Sequence, residues 1–340
     1  VRVAGGNSLT YGDVTLAAAT KYETNLTAPG GGSLTVGNVT GGGNSLEVNG
    51  GTAGTVSVDD GAGYIGFGAM RFDENGYVIA DAGDGATPVL GANGSAANVF
   101  AGIASSEGGI ASTITVADAN NTARIEAGIA GVSPTTGLIV DGAGTLELAG
   151  NNEGLTGTIA VLDGTLRASG GAAVSNASAV ILRGDARFEI ADDEAIGALD
   201  GGAATTVALG GNSLIAGVNG DDTTFGGVIS GTGDFVKAGA GTLTLTGANT
   251  YTGITGVTDG ALILGADNVL ADDTAVAVQS ATLDLQGHSD TVGMVQLVDG
   301  VLAGSGTLSA AQYQLADAQV DANLGTGALF QTGGTSVLGG

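Results

Sequence analysis

The amino-acid sequence predicts an all-β fold, a β-solenoid in which short coils of strand stack on one another. Three observations lead to it: the composition, an internal repeat and a two-residue hydrophobic alternation. Of the 340 residues, 66 are Gly and only 3 are Pro, while 43% are apolar and 4% aromatic. A disordered glycine-rich linker would lack so many aliphatic residues, and collagen would need abundant proline. The chain therefore folds, with small side chains and many tight corners.

A long phrase occurs twice in the chain. Residues 142–168 read GAGTLELAGNNEGLTGTIAVLDGTLRA, and residues 239–265 read GAGTLTLTGANTYTGITGVTDGALILG. Thr145 and Thr242 lie 97 positions apart, whereas Asp163 and Asp259 lie 96 apart, so one residue has slipped between the copies. In a stack of coils each coil meets an equivalent neighbour, which favours a solenoid over a sandwich or a barrel.

The strands of this solenoid are predicted by alternation. In the stretch TLTLT at 242–246 the leucines face one side and the threonines the other. Such runs last about four to six residues before Gly, Asn-Gly or Asp-Gly ends them, and a coil is expected to take about 20 residues. We expect glycines at corners (Gly239, Gly241, Gly247, Gly253 and Gly260) and leucines in a narrow core (Leu243, Leu245, Leu262 and Leu264).

Three regions are expected along the chain. Residues 1–98 form an N-terminal solenoid region, residues 99–310 hold the repeated modules with copies around 128–200 and 225–298, and residues 301–340 form a related C-terminal repeat. An insert at about 59–90 concentrates four aromatic residues, Tyr64, Phe67, Phe72 and Tyr77. Its segment MRF-DENG-YVI predicts a hairpin turning at 73–76. The aromatic rings either pack on the solenoid flank or serve as an interface.

The charge balance excludes some partners. There are 8 basic and 34 acidic residues, a formal net charge of -26, and no Cys. Binding to nucleic acid or an anionic membrane requires Lys and Arg, so neither partner is expected. No disulfide or Cys-ligated metal is available. No apolar run is long enough to span a bilayer, so this segment is not expected to insert directly.

The region 207–265 carries a specific resemblance. It resembles the autotransporter-associated β-strand repeat of passenger domains in bacterial type V secreted surface proteins. The matching positions are Phe225, Gly227, Val228, Ile229, Gly231, Lys237, Gly239, Gly241, Thr242, Leu243, Gly247, Asn249, Tyr251 and Gly253. The other copy departs from this pattern, because Asp141 replaces Lys237 and Glu153 or Gly154 stands where Tyr251 would be.

The resemblance implies a right-handed parallel β-helix with short coils and turns rich in Gly, Asp and Asn. It also implies an extracellular location, at the bacterial cell surface or associated with the outer membrane. The implied roles are adhesion, surface coating or passage of the passenger through the outer membrane. The expected partners are copies of the chain itself, as an oligomer, filament or lattice, or a host or matrix surface. We expect a passenger fragment, a processed product or a surface protein held by other means.

Candidate catalytic groups are few, and we expect no enzyme and no catalytic, cofactor-binding or metal site. His288 stands beside Ser289 and Asp290, but neighbours on a strand point to alternate faces and do not form a triad. Acids are paired at 59–60, 192–193, 221–222 and 272–273. Because two carboxylates can hydrolyse glycosidic bonds, a carbohydrate-active solenoid, either polysaccharide lyase or glycosidase, is the alternative function. The scarcity of aromatic and basic residues argues against it.

Calcium is left open as a ligand. Hard cations bind clustered carboxylates and carbonyl oxygens, and the segments 219–222 (NGDD) and 81–85 (DAGDG) could supply such groups. Neither follows the twelve-residue EF-hand pattern, and the tandem nonapeptide of calcium-binding β-rolls is absent.

Overall fold

A computed structural model describes residues 137–339 in full, with residues 114–116, 119–120 and 122–125, and elsewhere only the backbone of the strands given below. The described residues form strands, turns and bends without a helix. No helix in this part of the chain therefore has the length and apolarity needed to cross a bilayer. The chain divides into two compact units, Val1–Ser178 and Ala179–Gly340.

In the first unit the chain visits three parallel sheets in turn. The first sheet contains, in spatial order, β1 (Arg2–Val3), β4 (Thr20–Thr24), β7 (Ser45–Asn49), β10 (Ala69–Phe72), β13 (Ser112–Val116), β16 (Leu138–Asp141) and β18 (Ile159–Val161). The second contains β2 (Ser8–Tyr11), β5 (Ser33–Val36), β8 (Thr55–Val58), β11 (Tyr77–Asp81), β14 (Thr122–Ile125), β17 (Thr145–Leu148) and β19 (Thr165–Ala168). The third contains β3 (Val14–Thr15), β6 (Val39–Thr40), β9 (Tyr64–Gly66), β12 (Val89–Leu90) and β15 (Gly128–Ile129).

The second unit begins with the same three-sheet rotation, but after β27 (Val228–Gly231) the chain alternates between two sheets. Its first sheet contains β20 (Ala179–Leu182), β23 (Ala198–Gly201), β26 (Thr223–Phe225), β29 (Thr242–Leu245), β31 (Ala261–Leu264), β33 (Thr282–Asp284), β35 (Val301–Ala303), β37 (Gln319–Val320) and β40 (Val337–Leu338). Its second sheet contains β21 (Arg187–Ile190), β24 (Thr206–Gly210) and β27 (Val228–Gly231). Its third sheet contains β22 (Glu194–Ile196), β25 (Leu214–Ala216), β28 (Phe235–Lys237), β30 (Thr255–Val257), β32 (Ala275–Gln279), β34 (Ser289–Val298), β36 (Thr307–Ala316) and β38 (Asn323–Leu324), with β39 (Ala328–Gly333) also paired to β36.

The register confirms the predicted β-solenoid. In the first sheet of the second unit, Leu243 lies beside Leu262, Leu262 beside Leu283, and Leu283 beside Leu302. The steps of 19, 21 and 19 residues agree with the expected coil of about 20. These four leucines are at most 1% exposed, so they form one inward column of the core. Parallel pairing explains the column, because each inward side chain stands on its counterpart one coil earlier.

The predicted hairpin around 73–76 is wrong. β10 pairs in parallel with β7 and β13, whereas β11 pairs in parallel with β8 and β14. The two strands therefore lie in different sheets instead of pairing with each other. An Asx-Gly turn signal is the same for a hairpin and for a corner, and only the long-range pairing separates them. The turn itself lies outside the described residues, as do Phe67 and most of the 59–90 segment, and the predicted domain limits stay predictions.

Candidate functional site: repeat corners and outer sheet faces

Each copy of the repeated phrase builds one corner of the solenoid through two successive coils. In the first copy β16 and β17 flank the corner, and the next coil places β18 and β19 directly beside them. In the second copy β28 and β29 flank the corner, with β30 and β31 beside them. The repeat is thus a structural unit of two stacked turns, and its glycines lie where the turns touch.

Two kinds of glycine shape this corner. Gly239 and Gly260 have φ of +71° and +60°, in the left-handed region where a side chain is strained. A Cβ on Gly239 would lie 2.0 Å from the carbonyl oxygen of Gly217 in the preceding coil. At Gly247 the close approach of the preceding coil alone requires glycine, since a Cβ there would lie 1.9 Å from the carbonyl oxygen of Gly227. The predicted corner positions are therefore confirmed, and coil-to-coil contact adds a constraint to the turn geometry.

A buried lysine stabilises the corner of the second copy. The ammonium group of Lys237 donates to the carbonyl oxygens of Ala238 and Gly239 at 2.7 Å each, and to that of Asp259 in the next coil at 3.3 Å. Lys237 is 0% exposed. Burial lowers the pKa of Lys237, while the carboxylates of Asp259 and Asp222 act in the opposite direction. The side chain therefore holds three carbonyl groups in place. This structural role was not predicted from the sequence.

Asn249 links three consecutive coils through its buried amide. Its Oδ1 accepts the backbone N–H of Ile229 at 2.8 Å, and its Nδ2 donates to the oxygen of Val269 at 3.0 Å. Asn152 occupies the matching position of the first copy and donates from Nδ2 to the oxygen of Ala173 at 2.7 Å. The matched spacing of 97 residues could have identified this pair, since both copies keep Asn where other polar residues change.

The structure corrects the alignment of the two copies at Tyr251. Tyr251 is buried beneath the loop, where its hydroxyl pairs with that of Thr255 at 2.6 Å. In the first copy Glu153 and Gly154 are exposed, whereas Leu155 is only 1% exposed. Leu155 therefore fills the position of Tyr251, because a buried site requires an apolar side chain, and the one-residue slippage lies in this loop.

Asp290 is a buried carboxylate that holds the backbone of the preceding coil. Its Oδ2 accepts the N–H groups of Val269 at 2.8 Å and Leu270 at 3.0 Å, and its Oδ1 accepts that of Thr291 at 2.8 Å. Burial raises the pKa of Asp290, against the effect of these three donors. With all its contacts made to main chain, this acid has a structural role.

Several aspartates at the corners join neighbouring coils by accepting a backbone N–H from the next coil. Asp222 accepts the N–H of Thr242 at 2.7 Å, and Asp193 accepts that of Ser213 at 2.8 Å. The same contact is made by Asp234 to Ile254, by Asp267 to Ser289 and by Asp317 to Thr335. These carboxylates replace a missing carbonyl partner at the corners, where the strand ladder is interrupted.

The paired acids do not converge on one place. The pairs at 192–193, 221–222 and 272–273 occupy separate solvent-facing turns, and the pair at 59–60 lies outside the described residues. Asp221 hydrogen-bonds with Asn219 within its own turn. In the part of the chain with described side chains, no three His, Cys, Asp or Glu residues come together as metal ligands. The 81–85 segment falls outside that part, so calcium binding there stays a prediction.

His288 lies on a turn and contacts an acid other than its sequence neighbours. Its Nδ1 is 3.4 Å from Oδ1 of Asp267, in the preceding coil. The backbone N–H of Ser289 lowers the pKa of Asp267, and His288 acts in the same direction. Asp290, by contrast, points into the core. The residues 288–290 are therefore not brought together as a triad.

Four of the basic residues stand in ladders of alternating charge. Glu147 lies in register between Arg124 and Arg167, and an ion pair joins Arg124 to Glu147. Glu47 holds the same register between Lys21 and Arg71. Opposite charges on adjacent strands stabilise the correct register and penalise a slipped one. The ion pair between Arg124 and Glu147 thus helps to align two neighbouring coils.

Exposed apolar residues concentrate on two surfaces of the second unit. One is the outer face of the third sheet, with Ile215 at 36% exposure and Ile254 at 46%, near Val218. The other is the final coil, where Leu329, Phe330, Val337 and Leu338 are between 47% and 61% exposed.

Comparison with known proteins agrees with the repeat geometry. The family described as passenger-associated-transport-repeat matches residues 138–168 and 235–264, which are the two corner modules. The adhesin BmaC autotransporter of Brucella suis biovar 1 (strain 1330) is 38% identical over 175 residues, covering 48% of this chain. The chain matches only 5% of the length of that relative. No solved structure gave a significant match.

Proposed function

Since the chain carries passenger repeats of the autotransporter family, we propose that it is an adhesive segment of a bacterial surface protein. The β-solenoid serves as a scaffold whose outer faces contact another cell, the extracellular matrix or further copies of the chain. The observation that carries the proposal is the coincidence of the matched repeats with the corner modules, because those modules build a stacked surface and no enclosed reaction site.

The location follows from the same premise. A passenger repeat belongs to a protein at the bacterial surface or associated with the outer membrane, and we place this segment outside the cell. A formal net charge of -26 keeps such a surface well hydrated and soluble. The absence of Cys from the sequence leaves its stability independent of the redox state of the surroundings.

A role without catalysis is supported by where the reactive groups are. Lys237, Asn249 and Asp290 direct their polar atoms to main chain. The described acid pairs lie on separate turns. A glycoside-cleaving site would require two carboxylates facing one bond at a distance of about 5 to 10 Å. The named relative is an adhesin, which favours the adhesive function over the carbohydrate-active alternative.

Adhesion is tested with beads that carry the purified chain. Coated beads and albumin-coated beads are added to epithelial cells and to immobilised matrix proteins, and bound beads are counted after washing. The proposal expects several-fold more binding for the chain than for albumin on at least one surface. Equal binding on every surface would refute adhesion. A parallel incubation with neutral and acidic polysaccharides should release no new reducing ends or unsaturated products.

A further inference from the structure

The outer face of the third sheet in the second unit carries an uncharged row that crosses five coils. The strand register places Ile215 beside Val236, Val236 beside Gly256, and Gly256 beside Ala277, with Ala195 next to Ile215. Ile254 precedes β30 and lies at the margin of this row. This aliphatic face consists of Ala195, Ile215, Val236, Ile254, Gly256 and Ala277.

The core of the solenoid does not require this face to be apolar. The inward positions of the same strands are filled by Leu214 and Phe235, both 0% exposed. The matching outward row of the first sheet reads Thr224, Thr244, Ile263, Asp284 and Ala303. Outward threonine and aspartate are therefore tolerated by the same coil geometry. Aliphatic residues exposed on an open sheet face carry a risk of aggregation, which a partner that covers them would remove.

Gly256 gives the aliphatic face its shape. A Cβ at Gly256 would lie 3.2 Å from Cγ2 of Val236 and 3.4 Å from its Cγ1. Any larger residue would have to displace Val236 or stand above it. Gly256 is buried, because the methyl groups of Val236 lie over it and form that part of the surface.

Fixed negative charges border the aliphatic face. Asp193 and Asp234 lie just before β22 and β28, and each is held by a backbone N–H of the following coil, at 2.8 and 2.7 Å respectively. The second unit contains 18 acidic residues against Arg183, Arg187 and Lys237. Arg183 pairs with Asp200, Arg187 lies 3.5 Å from Glu189, and Lys237 is buried. Two copies of this face would therefore oppose like charges.

We propose that the aliphatic face binds a basic amphipathic segment of another protein. Aliphatic side chains of that segment pack on Ile215, Val236 and Ile254, while its Lys or Arg residues approach Asp193 and Asp234. This inference rests on the proposed adhesive function and assigns it a contact surface and a partner chemistry. An apolar centre with charge-complementary margins is the usual anatomy of a specific protein interface.

The test uses a fluorescent peptide with four central aliphatic residues and two lysines at each end, titrated with the full chain and followed by anisotropy. A second peptide replaces the aliphatic residues with serine and keeps the lysines. The wild-type chain should bind the first peptide and not the second, and binding should weaken as salt is added. The double variant Ile215→Glu, Val236→Glu should weaken binding by at least about tenfold. Ile263→Glu, on the outer face of the first sheet, is the matched control and should leave it unchanged.

Three results would overturn the inference. They are equal binding of the two peptides, equal binding by the double variant and wild type, and self-association of the wild type that the double variant abolishes. If the double variant does not fold, methyl NMR of the wild type decides, since the peptide should shift the methyl signals of Ile215, Val236 and Ile254 and not that of Ile263. Bead adhesion separates the two proposals: adhesion without peptide binding would refute the inference alone, and peptide binding without adhesion would refute the proposed function alone.

Discussion

Asn249 and Val269, one coil apart, are joined twice: the backbone N–H and the side-chain Nδ2 of Asn249 both donate to the oxygen of Val269, at 2.9 and 3.0 Å. On its other side Asn249 accepts the N–H of Ile229. One buried side chain therefore spans three coils. Polar stacking of this kind gives a solenoid register that a purely apolar core would leave free to slip.

Replacement of Asn249 by alanine should destabilise the second unit. The change leaves the buried N–H of Ile229 without an acceptor, and an orphaned buried group costs about 1–3 kcal/mol. Urea unfolding followed by circular dichroism measures the loss. Thr250→Ala, at the exposed neighbouring position, should change the free energy of unfolding by less than about 0.5 kcal/mol. Equal effects of the two variants would mean that the amide is not a tie between coils.

Replacement of Lys237 by methionine should also destabilise the fold, because three carbonyl groups lose their donor; we expect a loss of about 2 kcal/mol. The size of this loss should depend on pH. Burial lowers the pKa of Lys237 in the folded chain below its ordinary 10.5. Between the folded-state pKa and the unfolded-state pKa, the unfolded chain therefore binds more protons than the folded chain. The contribution of Lys237 to the free energy of unfolding rises with pH in that window, and below it the cost of burying the charge is fully present.

The pH effect is measured as the difference in unfolding free energy between wild type and Lys237→Met, at pH 7 and at about pH 10. Groups common to both chains cancel in this difference. This difference in unfolding free energy should be larger at the higher pH. A smaller difference at the higher pH would contradict the buried position of the ammonium group.

Gly239→Ala should be among the most damaging single changes in the corner. The left-handed backbone costs a side chain about 1–2 kcal/mol, and the added Cβ would lie 2.0 Å from the oxygen of Gly217. Thermal unfolding should show a large decrease in the melting temperature or no cooperative transition. Gly202→Ala is the control, since nothing lies within 4 Å of its Cβ position, and it should melt like the wild type. Tolerance of Gly239→Ala would be incompatible with such tightly stacked coils.

Glu147→Arg should place three cations in line across adjacent coils of the first unit, beside Arg124 and Arg167. Like charges on neighbouring strands repel, so a loss of about 1 kcal/mol is expected at low salt, decreasing as salt is added. Glu153→Arg, in an exposed turn, is the matched control and should be nearly neutral. A loss that did not respond to salt would assign the effect to packing instead of charge.

The fold was predictable because its signal is local and repeated. Alternation at Thr242 to Leu245 defines a strand, and glycines mark the corners in both copies: Gly142 and Gly164 in the first, Gly239 and Gly260 in the second. The buried polar contacts were not predictable, because the carbonyl groups bound by Lys237 belong partly to a coil about twenty residues away. Similarly, the turn at 73–76 reads as a hairpin until the parallel partners of its flanking strands are known. Information about which coil lies beside which is held in the long-range register, not in the local sequence.

The parallel stacking of coils is the central structural claim, and a spin-label distance tests it most directly. Because the chain has no Cys, Thr224→Cys and Ala303→Cys provide two unique labelling sites on the outer face of the first sheet. The register runs from Thr224 through Thr244, Ile263 and Asp284 to Ala303, a total of four strand steps. At about 4.8 Å per step the backbone separation should be roughly 19 Å. A narrow distribution near that value, allowing for the label arms, is the predicted result, and a broad distribution or a mean far above it would contradict the solenoid.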